Sequence, residues 1–347
     1  MDKLDLAILW HLDGNSRMKL SDLAKATGAS AQSVGYRIDR LVKEGTLRGC
    51  IGTIDVSRLG LLLFRFYARL RSATRDNQYE LVRSLVRHQN TLWVVSTSGP
   101  WDLEVVFTAR NFVHFNDLLK EWRVQWTSCL SAINVSMSPI TYRFRRDYLI
   151  DRRRSTSELA HFGSEPRTVS LDELDSKTLG HIAINCRQSN EEIARKVGVS
   201  YHTVAARLAN LQEQEVLQAY SVVLDLSKLG RRFIKALLRL EPFSEQEERS
   251  FLSFCMRHNY VVYLTEVLGE WQWEVEMEVP DYDEAYEFLG QLRKAFPKHV
   301  VDYQLLEVTD EHKHNYGPHL QPTSPRVSSK KIGAKISKAK NRAMKLV

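Results

Sequence analysis

Gly-Ala-Ser-Ala-Gln-Ser-Val-Gly-Tyr-Arg-Ile-Asp-Arg-Leu at residues 28–41 returns as Gly-Val-Ser-Tyr-His-Thr-Val-Ala-Ala-Arg-Leu-Ala-Asn-Leu at residues 198–211. In the first copy Val34, Ile38 and Leu41 fall at i, i+4 and i+7, one face of a helix. Ser30 is placed to cap that helix, and Gly28 to end the preceding one in the left-handed conformation. The same offset of 170 carries Leu4-Asp5 to Leu174-Asp175, Ala24 to Ala194 and Leu59-Gly60 to Leu229-Gly230. It also carries Gly99 and Trp101 to Gly269 and Trp271. A period this long is not a solenoid, whose repeats run about 20–50 residues. It is a duplicated unit made of several parts.

Around this repeat the bulk properties are those of a folded protein. The 347 residues suggest roughly two to four domains of about 100–150 residues. Hydrophobic content of 43% and charged content of 26% are ordinary for a globular chain. No apolar run approaches the ~18 residues of a membrane span, and Met1-Asp2-Lys3 does not open a signal peptide. A cytoplasmic protein is expected. The four cysteines (Cys50, Cys129, Cys186, Cys255) show no C-x-x-C pairing, which suits reduced, mostly buried thiols.

Charge is distributed unevenly. Residues 1–154 hold 24 basic and 15 acidic residues, a balance of +9, whereas residues 155–320 hold 17 and 27, a balance of −10. Residues 321–347 add 8 basic and no acidic residues. The first copy and the tail therefore attract polyanions, and the second copy as a whole does not.

Each copy reads as two modules. Residues 1–54 read as three short helices and a β-prone stretch whose Gly49 and Gly52 suit a small hairpin. Residues 60–143 give the order βαββαβ, a ferredoxin-like split unit with helices on one face of an antiparallel sheet. The same pair of modules is expected at 171–224 and 230–312. Residues 144–170, crowded with arginines, read as a loose linker, and residues 321–347 as a basic, disordered tail.

The three-helix module is a candidate helix-turn-helix, whose second helix enters the major groove. With Val34, Ile38 and Leu41 inward, the outward face would show Gln32, Ser33, Tyr36, Arg37 and Arg40. Gln and Arg pair with purine edges, and Ser, Tyr and Arg reach phosphates. The second copy offers Tyr201, His202, Thr203 and Arg207, with fewer cations, and is expected to bind more weakly or at a different half-site, the alternative being a purely structural role.

These positions carry a family resemblance. Leu4-Asp5, Leu23-Ala24, Gly28-x-Ser30, Val34-x-x-Arg37-Ile38-x-x-Leu41, Gly45-x-Leu47 and Asp55-x-x-x-Leu59-Gly60 resemble the Lrp/AsnC (feast/famine) transcriptional regulators. The βαββαβ unit and its Ser98-Gly99-x-x-Asp102 turn resemble them too. The resemblance implies an α+β protein: two copies of a winged helix-turn-helix plus a RAM domain. It implies a DNA-binding regulator bound to the nucleoid, either a homo-oligomer or a pseudo-dimer within one chain, with an amino acid or other small molecule as effector. It places Gly99 and Asp102 near the effector pocket. In the second copy Gln272 replaces the acid.

Two other readings compete. Fused siroheme decarboxylases resemble the same architecture, and a histidine recurs here as His88 and His258. A third reading is an effector sensor that no longer binds DNA. No catalytic residue, metal site or cofactor is expected. His312 and His314 are a weak metal candidate, and no phosphate loop, H-E-x-x-H or nucleophile elbow occurs. Trp101 and Trp271 are expected in core or dimer contacts.

Overall fold

The structure is a computed structural model, which describes residues 1–71, 75–150, 158–163 and 168–314. The first copy opens with α1 (Lys3–Gly14), α2 (Leu20–Thr27), α3 (Ala31–Lys43) and strand β1 (Leu47–Ile54). Gly28, at φ 68°, ends α2, and Ser30 accepts the Ser33 N–H at 3.1 Å to cap α3. Val34, Ile38 and Leu41 are buried as the spacing predicts. The second copy repeats this with α6 (Glu173–Ile184), α7 (Asn190–Val197), α8 (Tyr201–Glu213) and β8 (Leu217–Leu224).

The expected hairpin at 47–54 does not form. β1 is one strand, and it pairs antiparallel with β8 of the other copy. Gly52 serves close packing instead of a turn: a Cβ there would lie 2.4 Å from Ile182 Cγ2 on α6. Ile51 pairs with Ser221, its own counterpart at the 170 offset, so a pseudo-two-fold axis passes through that pair.

The bonds around it are reciprocal. Ser16 N–H donates to Tyr220 O and Cys186 N–H to Cys50 O. Asp55 N–H donates to Val216 O and Asp225 N–H to Thr46 O. Arg17 donates to Cys186 O at 2.6 Å, and Arg187 to Ser16 O at 2.8 Å. The two three-helix units are thus joined reciprocally through β1 and β8.

The remaining strands join into one ten-stranded sheet with two four-stranded parts, the first sheet from the first copy and the second sheet from the second. In the first copy the elements are β2 (Leu62–Leu70), α4 (Arg75–Arg87), β3 (Thr91–Ser98), β4 (Leu103–Ala109), α5 (Phe112–Gln125) and β5 (Leu130–Met137). Ser138-Pro139 separates β5 from β6 (Ile140–Phe144), which pairs with β7 (Glu158–Gly163). The second copy supplies β9 (Arg232–Leu240), α9 (Glu245–Arg257), β10 (Val261–Glu266), β11 (Trp273–Val279), α10 (Tyr282–Ala295) and β12 (Val300–His314).

The strand order is β5-β2-β4-β3-β12-β9-β11-β10-β6-β7. The last strand of each copy crosses into the other: β12 pairs with β9 and then β3, and β6 pairs with β10. Strand alternation divides the faces. Phe64, Phe66, Phe107, Phe115 and Trp122 fill the helix-covered core of the first sheet, each stabilising by about 1.5–3 kcal/mol. Leu63, Arg65 and Tyr67 take the other face, toward the second sheet.

Residues 144–170 are not a loose linker throughout. A 3-10 turn covers Asp147–Leu149, and β7 extends the sheet. Arg143 reaches Asp13 at 2.5 Å; Arg146 reaches Asp13 at 2.6 Å and Glu278 at 2.8 Å, all buried. Those partners lie about 130 positions away in sequence, so composition could not show them. Arg152, Arg153 and Arg154, and the tail at 321–347, lie outside the described residues.

Candidate nucleic-acid interface and interior chamber

The sequence-predicted reading face separates into two sets. Gln32 and Tyr36 are exposed, Tyr36 at 69%, and Ser33 is half-buried beside the Ser30 cap. Arg37 and Arg40, expected to be outward, are turned instead onto α1. Arg37 bonds Asp2 and Asp5 at 2.7 Å each, and Arg40 bonds Asp5 at 2.6 Å. Asp5 is buried, and a buried carboxylate draws in the nearest cations. The Asp5 N–H, and then Arg37, hold the Asp2 carboxyl down to about 2. The second copy repeats the bolt: Arg207, also expected to be outward, reaches Asp172 at 2.6 Å and Asp175 at 3.2 Å. Tyr201 and His202 are exposed, and Thr203 packs beside Ser200.

The exposed cations of the first unit were missed by reading α3 alone. Lys19 starts α2, Lys25 lies near its end, and Lys43 ends α3, all exposed. The counterparts of Lys3, Lys19 and Lys43 are Glu173, Ser189 and Glu213. The signal was available in the charge balance of the two copies.

Gly99 has φ +125°, and a Cβ there would meet Leu305 O at 2.7 Å. Glycine therefore lets the turn press on β12. Asp102 is exposed, and its Oδ2 accepts the Leu70 N–H at 2.8 Å. Gln272 accepts the Leu240 N–H at the same distance in the second copy. The acid and the amide thus brace the same turn. Trp101 and Trp271 pack with Tyr67, Leu237 and Leu306 between the sheets.

Between the sheets lies a buried charge network. Arg65 bonds Glu104 at 2.8 Å and Glu274 at 3.2 Å; Lys235 bonds Glu274 at 3.1 Å, Glu276 at 3.0 Å and also Glu104. Arg65 and Lys235 are counterparts at the 170 offset, as are Glu104 and Glu274. Burial pushes Glu104 above the usual carboxylate range, while Arg65 and Lys235 overcome burial to hold Glu274 below it. Glu104, Glu274 and Glu276 cluster closely enough to hold a cation, but the Lys235 ammonium and the Arg65 guanidinium already lie between them.

The histidines divide between the two faces. His88 accepts the Asn90 N–H and packs on Phe107, and His258 packs on Phe288, both on the helix side of their sheets. His312 meets Ser96 Oγ at 2.8 Å, and His314 meets Glu311 at 2.8 Å. Cys50 and Cys186, far apart in sequence, both lie at Ser16; Ser16 Oγ is 2.9 Å from Cys186 Sγ, and burial pushes the Cys50 thiol up to about 12.

A chamber of about 1110 Å³ lies between the paired wings and the sheets. Ile54 of β1 and Val222 and Leu224 of β8 line its wing side; Leu63, Val106 and Glu276 line its sheet side. His312 and His314 line it, and His88 and His258 do not.

Residues 1–48 match the family described as winged helix-turn-helix DNA-binding, and residues 171–212 the AsnC-type helix-turn-helix domain. An uncharacterized HTH-type transcriptional regulator of Pyrococcus furiosus is 28% identical over 135 residues, covering 38% of this chain and 86% of its own. HTH-type transcriptional regulator FL11 of Pyrococcus abyssi is 24% identical over 119 residues, covering 34% and 78%. The crystal structure of the siroheme decarboxylase NirDL superposes with a TM-score of 0.59. It covers 90% of this chain and 93% of that one at 13% identity, a likeness of fold alone. No helix among the described residues is long and apolar enough to cross a membrane.

Proposed function

We propose, for a chain that belongs to the Lrp/AsnC family of helix-turn-helix proteins, a sequence-specific DNA-binding transcriptional regulator in which one chain does the work of a dimer. The observation that carries this is the reciprocal bonding of the two units about Ile51 and Ser221. It leaves Gln32 and Tyr36 of α3, and Tyr201 and His202 of α8, open to solvent. A dimeric reader needs two such helices on one rigid frame. Gln32 and Tyr36 would meet base edges; Ser30, Ser33, Lys19, Lys25 and Lys43 would meet phosphates. Arg37, Arg40 and Arg207 would act mainly by holding each reading helix on the first helix of its unit. Thr203 supports α8 in the way Ser33 supports α3.

Unlike reading helices imply an operator without perfect two-fold symmetry, because palindromy mirrors protein symmetry. An amino-acid effector at Gly99 and Asp102 belongs to the same proposal, its ammonium meeting the exposed carboxylate. So does action at the nucleoid, in the cytoplasm. The test is a gel-shift series on genomic fragments at rising salt. One or a few fragments should stay bound where bulk DNA is released. Equal release of all fragments would remove the sequence-specific reading.

The likeness to NirDL over most of both chains keeps a tetrapyrrole enzyme as the second reading. A Soret band in the purified protein, or on adding a tetrapyrrole, would favour it over the regulator.

A further inference from the structure

The chamber straddles the pseudo-two-fold, yet its two sides are chemically unlike. Ile54 and Leu224 line it as counterparts, as do Leu63 and Phe233, and Trp93 and Tyr263. The sides differ at Val106, whose counterpart is Glu276, at Thr141, whose counterpart is Glu311, and at Arg231, whose counterpart is Leu61. Leu61 belongs to a buried apolar cluster with Val56, Leu63, Leu92 and Val106. Arg231 stacks on Tyr148 and Tyr260, at 4.9 and 5.1 Å from the ring centroids. Its Nη1 is buried without a hydrogen-bond partner, and the Glu284 carboxylate acts on it through space with no direct contact among the described residues. The other lining arginines are already paired: Arg48 with Glu311, Arg65 with Glu104, Arg146 with Asp13 and Glu278, and Arg232 with Glu307. One cation with an open donor thus shares with Leu63, Leu92 and Val106 a space far larger than a free amino acid fills, whose lining carboxylates Glu278, Glu307 and Glu311 are already held by Arg146, Arg232 and Arg48. Pockets of about 300–1,000 Å³ hold ligands of drug size.

We infer that the chamber binds an amphipathic organic anion, a fatty or aryl carboxylate, with its head on Arg231 and its apolar body against Leu63, Leu92 and Val106. A guanidinium with a buried unused donor recovers its desolvation cost by taking a carboxylate. The apolar wall adds the hydrophobic gain of the ligand surface it covers. This site is separate from the Gly99–Asp102 turn, which is not part of the chamber lining. Because β1 and β8 roof the chamber, an occupant touches the frame that holds both reading helices. That role rests on the regulator reading; the binding itself does not, and it is measured without DNA.

The experiment is a fluorescence titration of the full chain with 8-anilinonaphthalene-1-sulfonate, an aromatic anion. Sodium decanoate, decanol, decyltrimethylammonium and leucine serve as competitors. The expected result is one bound probe per chain, displaced by decanoate and not by the cation or by leucine, with decanol at least tenfold weaker. Arg231→Leu, which installs the counterpart residue, should weaken decanoate about tenfold or more while the circular dichroism spectrum and melting temperature stay near wild type. Val106→Trp should abolish the stoichiometric probe site by filling the chamber. Equal displacement by decyltrimethylammonium, or wild-type decanoate affinity in Arg231→Leu, overturns the inference. So does an intact probe site in a folded Val106→Trp variant. Gel shifts with and without decanoate then report on the regulator reading separately.

Discussion

The helices α3 and α8 occupy equivalent places, and they have kept different things. Both retain the bolt to the first helix of their unit, Arg37 with Asp5 and Arg207 with Asp175. Both retain the serine cap. Around that frame the surface has changed sign: Lys3 and Lys43 stand where the second copy has Glu173 and Glu213. Residues that hold the frame must satisfy a buried partner, so they resist change. Residues that face solvent carry no such obligation, and two fused copies can diverge there while remaining locked together. Arg65 with Lys235, and Glu104 with Glu274, show the same retention between the sheets.

The largest effect should come from breaking that retained pairing. Lys235→Met leaves Glu104, Glu274 and Glu276 with only Arg65 to neutralise them. Removing one partner of a buried ion network costs about 3–5 kcal/mol, readable by urea denaturation. A loss under about 1 kcal/mol would mean that water reaches the network. Gly52→Ala should come next, at about 1–3 kcal/mol from overpacking against Ile182. Gly49→Ala, with nothing within 4 Å, is its control and should be near neutral.

The comparison of reading helices is sharpened by Gln32→Ala and Tyr36→Ala against His202→Ala and Tyr201→Ala. In gel shifts on the selected operator the first pair should each cost about 1–2 kcal/mol and the second pair less. Equal losses would show both helices reading alike. Lys43→Ala should flatten the plot of log affinity against log salt by about 0.9 if it meets one phosphate; Glu213→Ala should not flatten it.

A separate effect concerns acid. Glu311 is held down to about 2 from its ordinary 4.5: burial works against this, and His314, the Trp93 indole N–H and Arg48 overcome it. Its counterpart is Thr141. A carboxylate with a lowered pKa in the folded state adds stability above about 4.5 that is lost as pH falls toward about 2. Glu311→Gln should remove that part of the acid dependence, followed by thermal melts from pH 5 downward. An unchanged profile would place the dependence on other acids.

What was readable in advance follows from range. The helices, their caps and the βαββαβ order depend on residues within a few positions of one another, and the duplication repeated every such signal. The inward placement of Val34, Ile38 and Leu41 needed nothing more. The errors lie where a partner comes from far along the chain. Gly49 and Gly52 looked like a turn, yet Gly52 makes room for α6 of the other copy. Arg37 and Arg40 looked free on the outer face, yet Asp5 holds them. Cys50 and Cys186 looked scattered until Ser16 was found beside both.

The amino-acid order alone determined that this protein is one unit written twice, with a cationic first copy and an acidic second, because composition and short-range periodicity need no three-dimensional partner. Only the tertiary structure decided how the copies meet: β1 on β8, β12 on β3 and β6 on β10. Strand pairing between distant segments rests on backbone hydrogen bonds that every residue type except proline can donate, so no side-chain pattern announces it. The chamber, with the open Nη1 donor of Arg231, is a product of that pairing.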